Sequence, residues 1–236
     1  VTTLLNPFRL AVSGPAANTL ANTFEGGTDG VTISTANSGG GSGDAFDAVT
    51  GAATIVYDDD APAPLIGTMS CHIAATTGQT GILDWTASWQ TSTEVWRRIY
   101  IYKTNNPTNS TVIMSLLNGA ALGCDVRVTS TGTIQFRDGN QVARATSTAL
   151  ANDSLHRIEW RILHSTTVGR IEGRIFSGAN AQGSTPDQTL GSPSTNRDTA
   201  TQSTRTFTGV ISNPGAAGLD IYYDNVAITD GDWLGS

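Results

Sequence analysis

Apolar and polar residues alternate with a period of two along most of this chain, and no run shows the 3.6-residue period of an amphipathic helix. His156, Ile158, Trp160 and Ile162 alternate with Arg157, Glu159 and Arg161, which predicts a strand with one buried face. Leu219, Ile221 and Tyr223 alternate in the same way with Asp220, Tyr222 and Asp224. Shorter strand segments fall at 22–25, 31–35, 45–49 and 53–57, and longer ones at 67–75, 81–89, 95–103, 111–117 and 124–129. The series continues at 133–137, 141–147, 155–163, 169–176, 204–211 and 219–229. About fifteen strands joined by turns predict an all-β chain folded as a large antiparallel two-sheet sandwich. Phe24, Phe46, Phe136, Ile158, Trp160, Phe176, Ile221 and Tyr223 are its expected buried anchors.

The composition agrees. Asp outnumbers Glu by 16 to 4, and glycine contributes 26 residues, so turn formers dominate over helix formers. The segment 37–44 (NSGGGSGD) reads as a loop between strands, and 182–203 as a long polar surface loop or contact arm. Residues 1–17 fit neither a helix nor a full strand. They are expected to be an extended N-terminal arm that docks on a partner, with the sandwich domain occupying 18–236.

Several functions are disfavoured. A net charge of −7 without a basic patch argues against nucleic-acid binding. No stretch approaches 18 apolar residues, so no membrane insertion is expected, and the N-terminus lacks a signal-peptide pattern. Cys71 and Cys124 fall inside predicted strands. Two buried free thiols are the plainer reading, and a disulfide stays open.

Two regions resemble the concanavalin A-like (laminin G-like) jelly-roll domains. One is the closing stretch LDIYYDNVAITDGDWLGS, residues 219–236, similar to that family's final Y-x-D-[DN]-V-x-[IV] strand. The other pairs the hairpin Ser130-Thr131-Gly132-Thr133-Ile134-Gln135-Phe136 with the strand Leu155-His156-Arg157-Ile158-Glu159-Trp160. Leu155 stands where that family usually has Trp. The ending Asp230, Trp233, Leu234, Gly235 resembles the version found in proteins of actinobacteria and their phages. The resemblance implies a jelly-roll sandwich over residues 18–236.

Glycan-cleaving members of such a family need two carboxylates across a groove. Their E-x-D-x-[x]-E strand is absent, and Glu25, Glu94, Glu159 and Glu172 are the only glutamates. Glu159 and Glu172 each flank an arginine, so ion pairing and a lowered carboxyl pKa are expected of them. The remaining Asp residues read mostly as turn formers. His72, His156 and His164 read as sheet residues, and lyase patterns are only grazed by Cys71-His72-Ile73 and Tyr102-Lys103. Asp58, Asp59 and Asp60 form the candidate calcium site, because a hard cation takes clustered carboxylate oxygens. Trp85, Trp89 and Trp96 form the candidate glycan-stacking row, which on a sandwich is as readily core as platform.

The reading that follows is a non-enzymatic virion structural protein, a phage minor tail or tail-tip protein or a capsid decoration. Its partners would be other virion proteins held through the arm, further copies of itself, and host cell-surface glycan. A carbohydrate-binding module or lectin is the alternative, extracellular if cellular, and a polysaccharide-degrading enzyme the third.

Overall fold

In the computed structural model, which describes residues 18–60, 62, 65–86, 93–191 and 202–235, the alternating segments become fifteen strands. They are β1 (Thr19–Asn22), β2 (Ala48–Gly51), β3 (Thr54–Asp58), β4 (Ser70–Ala75) and β5 (Gly81–Thr86). Next come β6 (Glu94–Lys103), β7 (Thr111–Asn118), β8 (Ala121–Val128), β9 (Thr133–Asp138) and β10 (Ala143–Ala149). The last five are β11 (Leu155–Leu163), β12 (Arg170–Ser177), β13 (Gln188–Gly191), β14 (Arg205–Val210) and β15 (Leu219–Thr229). A single 3₁₀ turn, Gly178–Asn180, is the only helical element among the described residues.

Two antiparallel sheets pack face to face as a jelly-roll sandwich. The eight-stranded sheet runs β13-β12-β11-β6-β15-β4-β3, with β1 also on β15; the seven-stranded sheet runs β10-β9-β8-β7-β14-β5-β2. The long β15 serves β4 along its first half and β1 along its second. Between them its ladder to β6 shifts register, and Asn225 takes φ +46°. A bulge of this kind bends a strand and re-aims its side chains.

The inner faces meet as the sequence predicts. Ile158, Trp160, Ile221, Tyr223 and Phe136 are wholly buried in one cluster with Phe24, Phe46 and Trp85. The sheets come close enough that a Cβ on Gly173 would lie 2.4 Å from the Phe136 ring, so β12 needs glycine there. Cys71 and Cys124 are buried free thiols. Arg97 also points inward, where its guanidinium donates to the carbonyls of Ser115 and Phe207 (both 3.2 Å) and to Thr208 Oγ1 (2.8 Å). Burial lowers its pKa to about 9.

Four local expectations change. The segment 31–35 makes only an isolated bridge, Thr32 to Val56. The first strand ends at Asn22, because Phe24 turns at φ +62° to reach Phe46 while its N–H donates to Asn22 Oδ1 (2.9 Å). Part of the expected loop 182–203 is β13, whose backbone completes the edge of β12. Finally, β11 is buried on both faces: Arg157 and Glu159, on its outer side, are each 1% exposed. Phe176 is buried on that outer side as well, beneath Arg157 and not in the main core.

Candidate functional site

The two outer faces differ. On the eight-stranded sheet, the rows Arg98–Glu159–Arg174 and Tyr100–Arg157–Phe176 run across β6, β11 and β12. The C-terminal segment lies over them. Arg98 donates to the Leu234 and Gly235 carbonyls (3.2 and 2.8 Å), and the Trp233 ring sits 3.8 Å from the Arg174 guanidinium. The segment after β12 closes the other side, since Arg157 Nη2 donates to Gly183 O (2.7 Å). Burial pushes the Glu159 pKa above its ordinary value, although Arg157, Arg174 and Arg98 oppose the shift. The expected lowering is therefore reversed, because removal of water outweighs the neighbouring cations. Glu172 keeps the expected cross-strand pair, with Arg161 Nη1 at 3.1 Å, and Glu94 takes the other arm of Arg161 (2.7 Å).

The outer face of the seven-stranded sheet carries a groove of about 400 Å³. The central row of that face, read across β9, β8, β7, β14 and β5, is Arg137, Asp125, Ser115, Phe207, Asp84, of which the first four line the groove. Arg137 grips Asp125 with both arms, Nε to Oδ1 (2.7 Å) and Nη2 to Oδ2 (2.5 Å). Arg205 Nη2 donates to Asp84 Oδ2 at the far end, and Asp84 Oδ1 is buried without a hydrogen-bond partner. Phe207 is half-buried between the two pairs, with the Arg205 guanidinium 4.9 Å from its ring. In the next row Arg127 stands between Val112 and Gln135, its Nε donating to Gln135 Oε1 (2.8 Å). Among the described residues no carboxylate pairs with Arg127, whereas Arg137 and Arg205 each have one. Burial lowers the Arg127 pKa and the neighbouring Arg137 adds to that. Asp125 is held above the ordinary carboxyl value because burial outweighs Arg137.

Strand pairing makes this row inevitable once the hairpin forms. A turn at 130–132 joins β8 to β9 and sets Asp125 opposite Arg137 and Arg127 opposite Gln135. Their neighbours Cys124, Val126, Val128, Ile134 and Phe136 point into the core. The expectation that Asp residues serve mainly as turn formers fails here: Asp84 and Asp125 are mid-strand and buried. Charged residues in period-2 alternation on both arms of a hairpin were the signal for this face. The adjacency of β14 and β5, which brings Phe207 and Asp84 into the row, has no local signal.

The other expected site residues do not assemble. Trp85 is 2% exposed, stacks on Phe46 at 4.8 Å and donates to Ala45 O (2.9 Å), so it is a core anchor and no platform. Trp96 is buried on the eight-stranded sheet, and Trp89 lies outside the described residues. Asp58 turns to His72 Nδ1 (3.2 Å) and accepts the Asp60 N–H (2.9 Å), while Asp59 N–H donates to Asp29 Oδ1 (3.3 Å). The Asp58 carboxylate is thus taken by His72 and the Asp60 amide, and no group of three or more His, Cys, Asp or Glu among the described residues is placed to hold a metal ion. His72 is instead clamped on its second nitrogen by Asp220 (2.7 Å) and stacked on Tyr222 at 4.2 Å. Burial opposes its charge, but Asp220 and Asp58 prevail and raise its pKa. The expected docking arm, residues 1–17, lies outside the described residues. No described helix is long and apolar enough to cross a membrane.

No protein-family model matches the chain, and no curated protein matches it either. Solved structures share its fold. The cellulose-induced protein Cip1 superposes with a TM-score of 0.60 over 92% of this chain and 99% of its own, at 14% identity. A PL-14 alginate lyase from Aplysia kurodai gives 0.57, covering 89% and 97% at 9% identity. The catalytic domain of a GH131 beta-glucanase from Podospora anserina gives 0.52, covering 78% and 81% at 16% identity. These likenesses show a jelly-roll sandwich that enzymes also use. They overturn the expectation of a non-enzymatic protein, which rested on few, arginine-flanked glutamates and on reading the aspartates mostly as turn formers.

Proposed function

We propose that this jelly-roll sandwich engages an acidic polysaccharide along the outer face of its seven-stranded sheet. One observation carries the reading: among the described residues no carboxylate forms an ion pair with Arg127, which stands beside Arg137, whose own charge Asp125 already matches. A second guanidinium next to a neutralised pair leaves one positive charge to be met by a ligand anion, and a planar guanidinium suits a carboxylate. Phe207, on the groove lining, supplies an apolar surface for a sugar face. The protein as a whole carries −7, so the attraction is local to the groove. That one similar structure is an alginate lyase supports a uronate ligand, and the beta-glucanase supports a sugar chain in general. Such a face suits a protein displayed outside a cell, and equally the virion setting that the terminal motif resembles, which is the narrower reading.

Calorimetric titration with polyuronate and neutral β-glucan oligosaccharides tests this. Polyuronate should bind more tightly, weaken with added salt, and lose affinity about tenfold or more in Arg127→Gln. Equal affinity for both glycans, or none for either, would contradict it.

A cleavage reading has its own observation. Asp125 combines a raised pKa with a place on the groove floor, the direction a proton donor needs. Strand spacing sets the Cα atoms of Asp125 and Asp84 about 14 Å apart, so any partner base would have to come from elsewhere on the groove. Release of reducing ends or unsaturated sugars, abolished in Asp125→Asn, is the result this reading requires.

A further inference from the structure

We propose that Ser177 and His156 form a serine–imidazole pair that hydrolyses short-chain carboxylic esters in a cavity sharing no residue with the groove. The two residues are cross-strand partners on β12 and β11. They line a cavity of about 580 Å³ together with Ala149, Ala151, Ser154 and Gln188.

The imidazole is fixed at both ends. Its Nε2 lies 3.0 Å from Ala151 O and its Nδ1 lies 2.9 Å from Ser177 Oγ. A carbonyl can only accept, so Nε2 carries the proton and Nδ1 presents its lone pair to the Ser177 hydroxyl, which donates. A base in contact with the nucleophile, itself oriented by a third group, is the arrangement an activated serine requires. Here the third group is a backbone carbonyl. His156 is 2% exposed, and burial lowers its pKa. The Ala151 carbonyl and the Asp187 charge oppose that shift, while the charge of Lys103 adds to it. The imidazole is therefore neutral, and able to accept a proton, at neutral pH.

Ser177 is set where β12 ends. Its backbone is still extended (φ −131°, ψ 144°), and Gly178 at φ +58° then turns the chain away, leaving Ser177 partly exposed. Two donors stand on the same wall. Ser154 Oγ would lie 3.8 Å from a Cβ on Gly178, the residue after the nucleophile, and Ser154 lines the same cavity as Ser177. Gln188 Oε1 accepts the Thr148 N–H (2.9 Å), which frees its Nε2 amide to donate. These groups, and not the Ser177 amide, which is committed to Asp187 Oδ2 (2.7 Å), would meet the developing oxyanion.

The reaction closes without a cofactor. Ser177 Oγ attacks the ester carbonyl carbon while its proton passes to His156 Nδ1. The carbon–oxygen bond to the alcohol breaks, and the leaving alkoxide takes that proton. Water then gives a proton to Nδ1 as it attacks the acyl-serine, and the carboxylic acid departs as Ser177 is reprotonated. The cavity of about 580 Å³ has room for a small ester such as an acetate.

The test uses the full chain with a fluorophosphonate probe and with p-nitrophenyl acetate. Peptide mass spectrometry of the wild-type protein should find the phosphonyl adduct on Ser177, a measurement that needs no variant. Ester hydrolysis should fall by about a hundredfold or more, or to the buffer rate, in Ser177→Ala. The wild-type rate should rise through one ionisation below the ordinary imidazole value of about 6.5. No adduct on Ser177, or hydrolysis unchanged in Ser177→Ala, overturns the proposal, and a rate flat across that pH range removes His156 from it.

Discussion

The outer faces of the two sheets are made from the same kind of strand and end in opposite conditions. Each sets arginines and acids at alternate positions, in rows that cross several strands. On the eight-stranded sheet the row through Glu159 is roofed by the C-terminal segment and by the chain after β12, so its charges are buried. On the seven-stranded sheet the row through Asp125 forms the floor of a groove, and among the described residues no carboxylate pairs with the Arg127 guanidinium. The same alternation thus builds a closed electrostatic cluster on one side and a candidate ligand surface on the other. What separates them is whether another part of the chain lies on top.

The contrast breaks most visibly on the roofed side. Glu159→Ala leaves Arg157 buried without its acid, and removing one partner of a buried pair costs about 3–5 kcal/mol. Urea denaturation should show that loss, whereas Arg127→Gln in the groove should move the midpoint by less than about 0.5 kcal/mol. Equal effects would mean that the two faces are not differently covered.

A second effect is pH-dependent. Burial lifts the Asp224 pKa to about 7, although the amides of Ile66 and Asn225 and the Ser70 hydroxyl hold it down. A folded carboxyl above its unfolded value binds protons that the unfolded chain has released. The contribution of Asp224 to stability is therefore fully present below about pH 4 and is lost, by a few kcal/mol, as pH rises through about 7. Asp224→Asn should flatten that slope in denaturation curves taken between those values; an unchanged slope would place its origin elsewhere.

The groove should respond in binding and not in stability. Phe207→Ala should weaken glycan affinity by about 1 kcal/mol if a sugar face rests on the ring. Unaltered affinity would move the sugar away from the centre of the row.

His72 should give the smallest effect. Its raised pKa stabilises the fold fully below about pH 6.5, and the gain is lost as pH rises through the folded value. With Asp220 44% exposed, water screens the pair, so His72→Ala should cost under about 1 kcal/mol at pH 5 and less at pH 8. A larger loss would make this cluster comparable with the roofed one.

The sequence by itself determined the alternation and hence which side chains face inward. Ile158, Trp160, Ile221, Tyr223 and Phe136 are core residues because a strand must hide its apolar face. It also determined the hairpin between β8 and β9, a local pairing across a short turn that sets Asp125 against Arg137. Only the tertiary structure decided what lies over each outer face. Alternation says that Arg157 and Glu159 point away from the core, and cannot say that Gly183, Trp233 and Gly235 return to cover them. It marks Trp85 and Trp96 as strand residues, and cannot say that both are buried on different sheets. Period-2 patterning is a property of neighbouring residues. Coverage depends on contacts between segments far apart in the chain, and so does the meeting of Phe207 and Asp84 with Asp125 in one row.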